Sequence, residues 1–195
     1  MQAIGGSGHR QGSATYFDPE AGANSPTQRP CRVFVSYARA DELYRRRLEV
    51  HLAQLSRDGL VDVWSDQAVA AGSDWEHDIQ HRLATADIVI LLVTPDFVAS
   101  RYCFENELPQ ALRRNEEEGV RILPVHVKTV DLANLPFGRF QGLPADLRPV
   151  VAWRRADDAW SQVARWVREA AEEFRRARIG LPRQRDLLEQ ELPDD

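Results

Sequence analysis

Ala86-Asp-Ile-Val-Ile-Leu-Leu-Val-Thr-Pro-Asp-Phe97 contains the longest purely apolar run of the chain, Ile88 to Val93. The run is far too short to cross a bilayer. Rich in β-branched residues and lacking polar alternation, it reads as a strand buried on both faces. Such strands belong to parallel sheets covered by helices on each side. Thr94-Pro95-Asp96 follows directly and opens a helical region.

The same strand-to-helix step recurs outward in both directions. Arg32–Ser36 is a strand, and Asp41 caps a helix to about Arg57 that carries Leu43, Arg47, Leu48, His51, Leu52 and Leu55 spaced roughly three or four apart. Gly59 stops that helix. Leu60–Trp64 is a second strand. Ser65 to Asp74 is a loop in which Gly72 permits an unusual turn, and Ser73 or Asp74 caps a helix from Trp75. The helical region after Thr94 runs to about Glu118, interrupted at Pro109, which cannot donate to the carbonyl of Glu105. Val120–Val127 is a fourth strand, Pro149–Trp153 a fifth, and Asp157–Arg178 a final helix. The alternation predicts an α/β, flavodoxin-like fold: a five-stranded parallel sheet with helices on both faces. Residues 1–30 read as a flexible leader, 31–178 as the folded domain, and 179–195 as a charged tail.

Composition narrows the function classes. A net charge of −5 over 195 residues leaves no electrostatic footprint for nucleic acid. The leader lacks the apolar core of a signal peptide, and no run is long enough for a membrane span. Two cysteines, Cys31 and Cys103, make neither a disulfide framework nor a zinc pair, so a reducing cytoplasm is the expected location. Lys128 is the single lysine among 25 basic residues.

Several motifs are weak. No glycine-rich phosphate loop follows a strand. His77 and His81 imitate a zinc-binding pair, but Trp75, Ile79 and Leu83 form the apolar stripe of that helix and leave the histidines in solvent, so no metal is expected. A phosphoacceptor domain would need an aspartate at the end of the third strand, where Val93-Thr94-Pro95 stands. Two features remain. Ser36-Tyr37-x-Arg39-x-Asp41 crowds polar groups at the carboxyl end of the first strand, where open α/β sheets bind ligands. Ser100 to Leu108 sets Glu105 and Glu107 beside Cys103; helical phase leaves either acid open as the functional one, and both open as surface charges.

Taken in order, FVSYARAD (34–41), VWSDQAVAAGSDW (63–75), ADIVILLVTPDFVASRYCFENEL (86–108), RILPVHV (121–127) and the later Pro136-Phe137 and Gln141-x-Leu143-Pro144 resemble a Toll/interleukin receptor (TIR) domain of the bacterial kind. The resemblance covers about Cys31 to Arg178. It implies NAD+ as substrate, with no separate cofactor, cleaved to nicotinamide and ADP-ribose or a cyclic isomer. The family's catalytic glutamate lies in the helical region after the third strand, in a W-x-x-x-E or W-C-x-x-E-L context. The Glu-Leu end of Cys103–Leu108 makes Glu107 the candidate and Glu105 the second choice. Tyr102-Cys103 matches the family's Trp-Cys pair, with Glu107 one residue further on than the pattern, as an inserted residue would place it. Ser36, Tyr37, Arg39, Asp41, Trp64, Asp66, Gly72, Trp75 and Cys103 are the implied substrate-binding set. The resemblance further implies TIR–TIR self-association, a separate sensor or effector protein as partner, and a role in bacterial defence or signal transduction. A non-catalytic adaptor acting through TIR–TIR contacts is the alternative.

Overall fold

The computed structural model describes residues 29–65 and 75–180. The expected leader and tail therefore lie almost wholly outside the described residues, as do Asp66 and Gly72. Four strands, β1 (Cys31–Ser36), β2 (Val61–Trp64), β3 (Ile88–Val93) and β4 (Arg121–His126), form one parallel sheet in the order β2-β1-β3-β4. All six residues of β3 are buried, as the apolar run requires. It is flanked by β1, with Val35 opposite Ile90, and by β4, with Leu92 opposite Val125.

Successive side chains of a strand point to opposite faces, and both faces are covered. Val33, Val35, Ile88, Ile90, Leu92 and Val125 pack against helices α1 (Glu42–Arg57) and α5 (Ala156–Arg178) through Leu48, Leu52, Trp160, Val163 and Val167. Phe34, Val89, Leu91, Val93 and Ile122 pack against α2 (Trp75–Thr85), α3 (Pro95–Ala99) and α4 (Leu108–Glu118) through Ile79, Leu83, Phe97, Leu108 and Ala111. Each such side chain, fully buried, stabilises the fold by about 1.5–3 kcal/mol relative to exposure. Gly59 and Gly119 take the left-handed conformation that ends α1 and α4.

Three expectations need correction. The segment read as a fifth strand is a 3₁₀ turn, Val150–Ala152. The carboxyl half of β4 is already occupied there: Leu143 N–H donates to the Pro124 carbonyl and the His126 N–H donates to the Leu143 carbonyl, both at 2.7 Å. Pro149 has no N–H to offer a ladder, and Val151 reaches only the Val127 carbonyl, past the end of β4. The helical region after β3 breaks at Ser100, which is extended, and not at Pro109, which lies in the first turn of α4. Asp41 occupies the N-cap position of α1, yet its side chain makes no capping bond.

His126, at the end of β4, is buried against Gly142, where an added Cβ would lie 2.1 Å from the ring Nε2. Burial holds the imidazole below its ordinary pKa of 6.5. The unfolded chain therefore takes up a proton that the folded chain resists, and stability falls as pH drops below about 6.5. Urea denaturation between pH 7 and 5 is expected to show this loss, and His126→Asn is expected to flatten it. Carboxylates whose pKa is lowered in the fold, such as Glu42 and Asp87, contribute their own loss only at more acidic pH.

Candidate functional site

In an order of β2-β1-β3-β4, the chain leaves β1 toward β2 on one side and returns as β3 on the other. The carboxyl ends of β1 and β3 thus border the topological switch point, the usual ligand crevice of such sheets. A cleft of about 540 Å³ opens there, lined by Tyr37 to Ala40 from beyond β1, by Asp96, Ala99 and Ser100, and by Tyr102, Cys103 and Glu107. Hollows along the outer edges of β4 and β2 gather none of the sequence's candidate residues.

Glu107 is 5% exposed, and its Oε2 accepts a short hydrogen bond from the hydroxyl of Ser36, the last residue of β1. A second link runs the opposite way, the Cys103 thiol donating to the Tyr37 carbonyl at 3.3 Å. Both come from a single π-helical turn, Cys103–Glu107, closed by the Leu108 N–H donating to the Cys103 carbonyl. A π turn holds one residue more than an α turn. In a regular α-helix position i+4 lies about 40° beyond position i, because each residue advances about 100°. The wider turn draws Glu107 back toward the direction that i+3 would take, the position of the glutamate in W-C-x-x-E-L. The extra residue visible in the sequence is absorbed within one turn. Pro109 follows two residues after Glu107, and its missing N–H is cheapest beside such an interruption of the ladder.

Glu105 lies on the other side of that turn, 66% exposed and 3.8 Å from Arg101. It is not among the residues lining the cleft. Two tyrosines line it. Tyr37 is buried, its hydroxyl donates to Glu42 at 3.1 Å, and the Arg45 guanidinium stands 5.7 Å from its ring centre. The Glu42 carboxyl is held at a pKa of about 2, first by its hydrogen bond from Arg45 and then by those from Arg46 and Tyr37. Burial pushes the Tyr102 hydroxyl up to about 12, with the Glu107 charge adding to the effect.

Of the remaining candidates, Arg39 lines the cleft. Asp41 lies beneath it, completely buried, accepting from the hydroxyl of Thr94 and from Lys128 Nζ at 3.2 Å. Trp64 is not among the lining residues. Its ring stacks on Phe34, its register partner across β1 and β2, at 5.5 Å, and Arg82 covers it at 5.8 Å. Trp75 is the first residue of α2, and its side chain lies outside the described residues. His77 and His81 are exposed, in keeping with their helical phase. No group of three potential metal ligands occurs among the described residues. No described helix is long and apolar enough to cross a membrane. The sequence reading missed Asp96, Ser100 and Tyr102 as cleft residues and the pairing of Lys128 with Asp41. Thr94, legible only as part of the segment that opens a helix, is its N-cap, accepting from the Phe97 N–H at 2.9 Å.

An α/β sheet with a carboxyl group buried at its switch point defines the class. Comparison with known proteins gives the family: the profile described as TIR domain matches residues 33–167, and this chain belongs to that family. A relative from Sinorhizobium fredii, "Uncharacterized protein y4lF", is 39% identical over 139 residues, 71% of this chain. That stretch is 43% of the relative's own length, so this chain matches less than half of it.

If the π turn exists to absorb one residue, removing that residue is expected to cost little. Deletion of exposed Asn106 restores C-x-x-E-L and is expected to change stability by less than about 1 kcal/mol, or roughly 2–4 °C in Tm. Deletion of buried Ala111, in the regular part of α4, is expected to cost considerably more. Thermal denaturation of both variants by circular dichroism checks this.

Proposed function

We propose that this TIR domain binds NAD+ in the cleft between the ends of β1 and β3 and cleaves the bond between nicotinamide and ribose, with Glu107 as the catalytic carboxylate. The observation that carries the reading is the buried Glu107 carboxyl, fixed by Ser36 on the wall of a cleft at the switch point. The bond broken joins C1′ of the ribose to the positively charged pyridine ring. Its electron pair passes to the ring nitrogen, so nicotinamide departs neutral and no general acid is required, unlike a glycosidase that must protonate a leaving oxygen. Positive charge develops on the sugar. A carboxylate beside it stabilises that charge and accepts hydrogen bonds from the ribose hydroxyls. Water then attacks C1′ and loses a proton to solvent, giving ADP-ribose; attack by a nitrogen of the same molecule's adenine gives a cyclic isomer instead.

The other cleft residues take supporting roles. Tyr37 and Tyr102 offer flat apolar surface for a ring, and Arg39 a cation for the pyrophosphate. Self-association through TIR–TIR contacts, a separate activating partner, and a place in bacterial defence or signalling are part of the same proposal, resting on family membership alone.

Nicotinamide release from NAD+ by purified protein, measured over a range of protein concentrations, tests the reading. Glu107→Ala is expected to lower the rate about 100- to 1000-fold, the usual scale for losing an electrostatic stabiliser, with Glu105→Ala near wild type. Ser36→Ala is expected to cost about 10- to 100-fold, the equivalent of one hydrogen bond of about 1.5–3 kcal/mol to a charged group. No release at any protein concentration would leave the adaptor role in its place.

A further inference from the structure

The chain's single lysine meets two acids from different walls of the cleft. Lys128 follows β4, and its Nζ lies 3.2 Å from Asp41 Oδ1 and 3.0 Å from Asp96 Oδ2. Asp41 closes the short turn Arg39–Asp41, whose Arg39 and Ala40 line the cleft, while Asp96 lines the opposite wall from α3. Thr94 joins the same group: it caps α3 through the Phe97 N–H and donates its own hydroxyl proton to Asp41. Asp41 is completely buried, whereas Lys128 is one-third exposed and packs 5.4 Å from the Tyr44 ring centre.

A buried carboxylate is tolerated when it is paired and hydrogen-bonded. Asp41 is paired with the Lys128 cation and accepts a hydrogen bond from the Thr94 hydroxyl. Such a pair contributes little net stability, because desolvation offsets most of the attraction. Its use is geometric. It joins residues 87 positions apart in sequence and holds the carboxyl ends of β1, β3 and β4 in one arrangement. Lys128 itself does not line the cleft.

We propose that Lys128 is a positioning residue for substrate binding: by bridging Asp41 and Asp96 it fixes the spacing of the two cleft walls, the Arg39–Asp41 turn and α3. The proposal rests on the reading that NAD+ occupies this cleft. It places the effect of Lys128 on the fit of the substrate between the walls, apart from the Ser36–Glu107 pair.

The test uses Lys128→Met and Lys128→Arg in the full chain, with steady-state NAD+ cleavage, thermal denaturation and hydrogen exchange by mass spectrometry. Lys128→Met is expected to raise KM about tenfold, equivalent to about 1.4 kcal/mol, with kcat close to wild type, and Lys128→Arg to restore most of the affinity. Adding Asp41→Asn to Lys128→Met removes the unpaired buried charge and is expected to recover stability but not KM. An unchanged KM with a lowered Tm overturns the proposal and leaves Lys128 a structural ion pair. If wild-type protein does not cleave NAD+, the catalytic reading fails separately, and exchange decides the positioning claim. Faster exchange confined to residues 38–41 and 95–99 in Lys128→Met supports it; unchanged or uniformly faster exchange overturns it. Where Lys128→Met does not fold, the same comparison is made with Lys128→Arg and Asp96→Asn, whose charges leave Asp41 paired, and an unchanged KM in Asp96→Asn overturns the proposal.

Discussion

The hydrogen bond from Ser36 to Glu107 is the constraint on which the site depends. A carboxyl group at the surface would be solvated and indifferent to its neighbours. Buried to 5% exposure, it must be held, and the hydroxyl at the end of β1 holds it. That contact brings together two segments 71 residues apart, one fixed by the centre of the sheet and the other by the helical layer over it. The thiol of Cys103 reinforces the junction from the same turn by bonding to the Tyr37 carbonyl. Position and orientation of the carboxyl therefore follow from the packing of β1 and β3 into the core.

The π turn is the local price of that placement. With one residue more than an α turn would hold, the segment from Cys103 to Glu107 still delivers Leu108 and Ala111 to the core and Glu105 to solvent. The widened turn also meets Pro109, which cannot complete a regular ladder in any case. Two local irregularities thus coincide, and the helix beyond them runs regularly to the left-handed Gly119.

Most of the architecture was legible because burial writes itself into sequence. The six-residue run of β3 and the Trp160, Val163 and Val167 stripe of α5 were plain, and in α1 Leu48, Leu52 and Leu55 are buried as expected while Leu43 and Arg47, read into the same stripe, are exposed. What failed to show were features decided by distant segments. Pro149–Trp153 has the composition of a strand, but the edge it would have joined was taken by Leu143. Asp41 looks like a helix cap and was spent instead on Lys128 and Thr94. Trp64 looks available to a ligand until the register of β1 and β2 sets it against Phe34. Helical phase left Glu105 and Glu107 open because it assumes a constant advance per residue, which the π turn suspends. The motif resemblance favoured Glu107, and the structure puts that residue, and not Glu105, at the cleft.

The account's central claim concerns one carboxyl group and one sugar. A crystal structure of the protein with a non-cleavable NAD+ analogue measures their separation directly. The account predicts the hydroxyls of the nicotinamide ribose within hydrogen-bonding distance of Glu107, about 2.5–3.0 Å, with Ser36 still bonded to the same carboxyl. A dinucleotide bound elsewhere, or bound in the cleft with its nicotinamide ribose remote from Glu107, would contradict it.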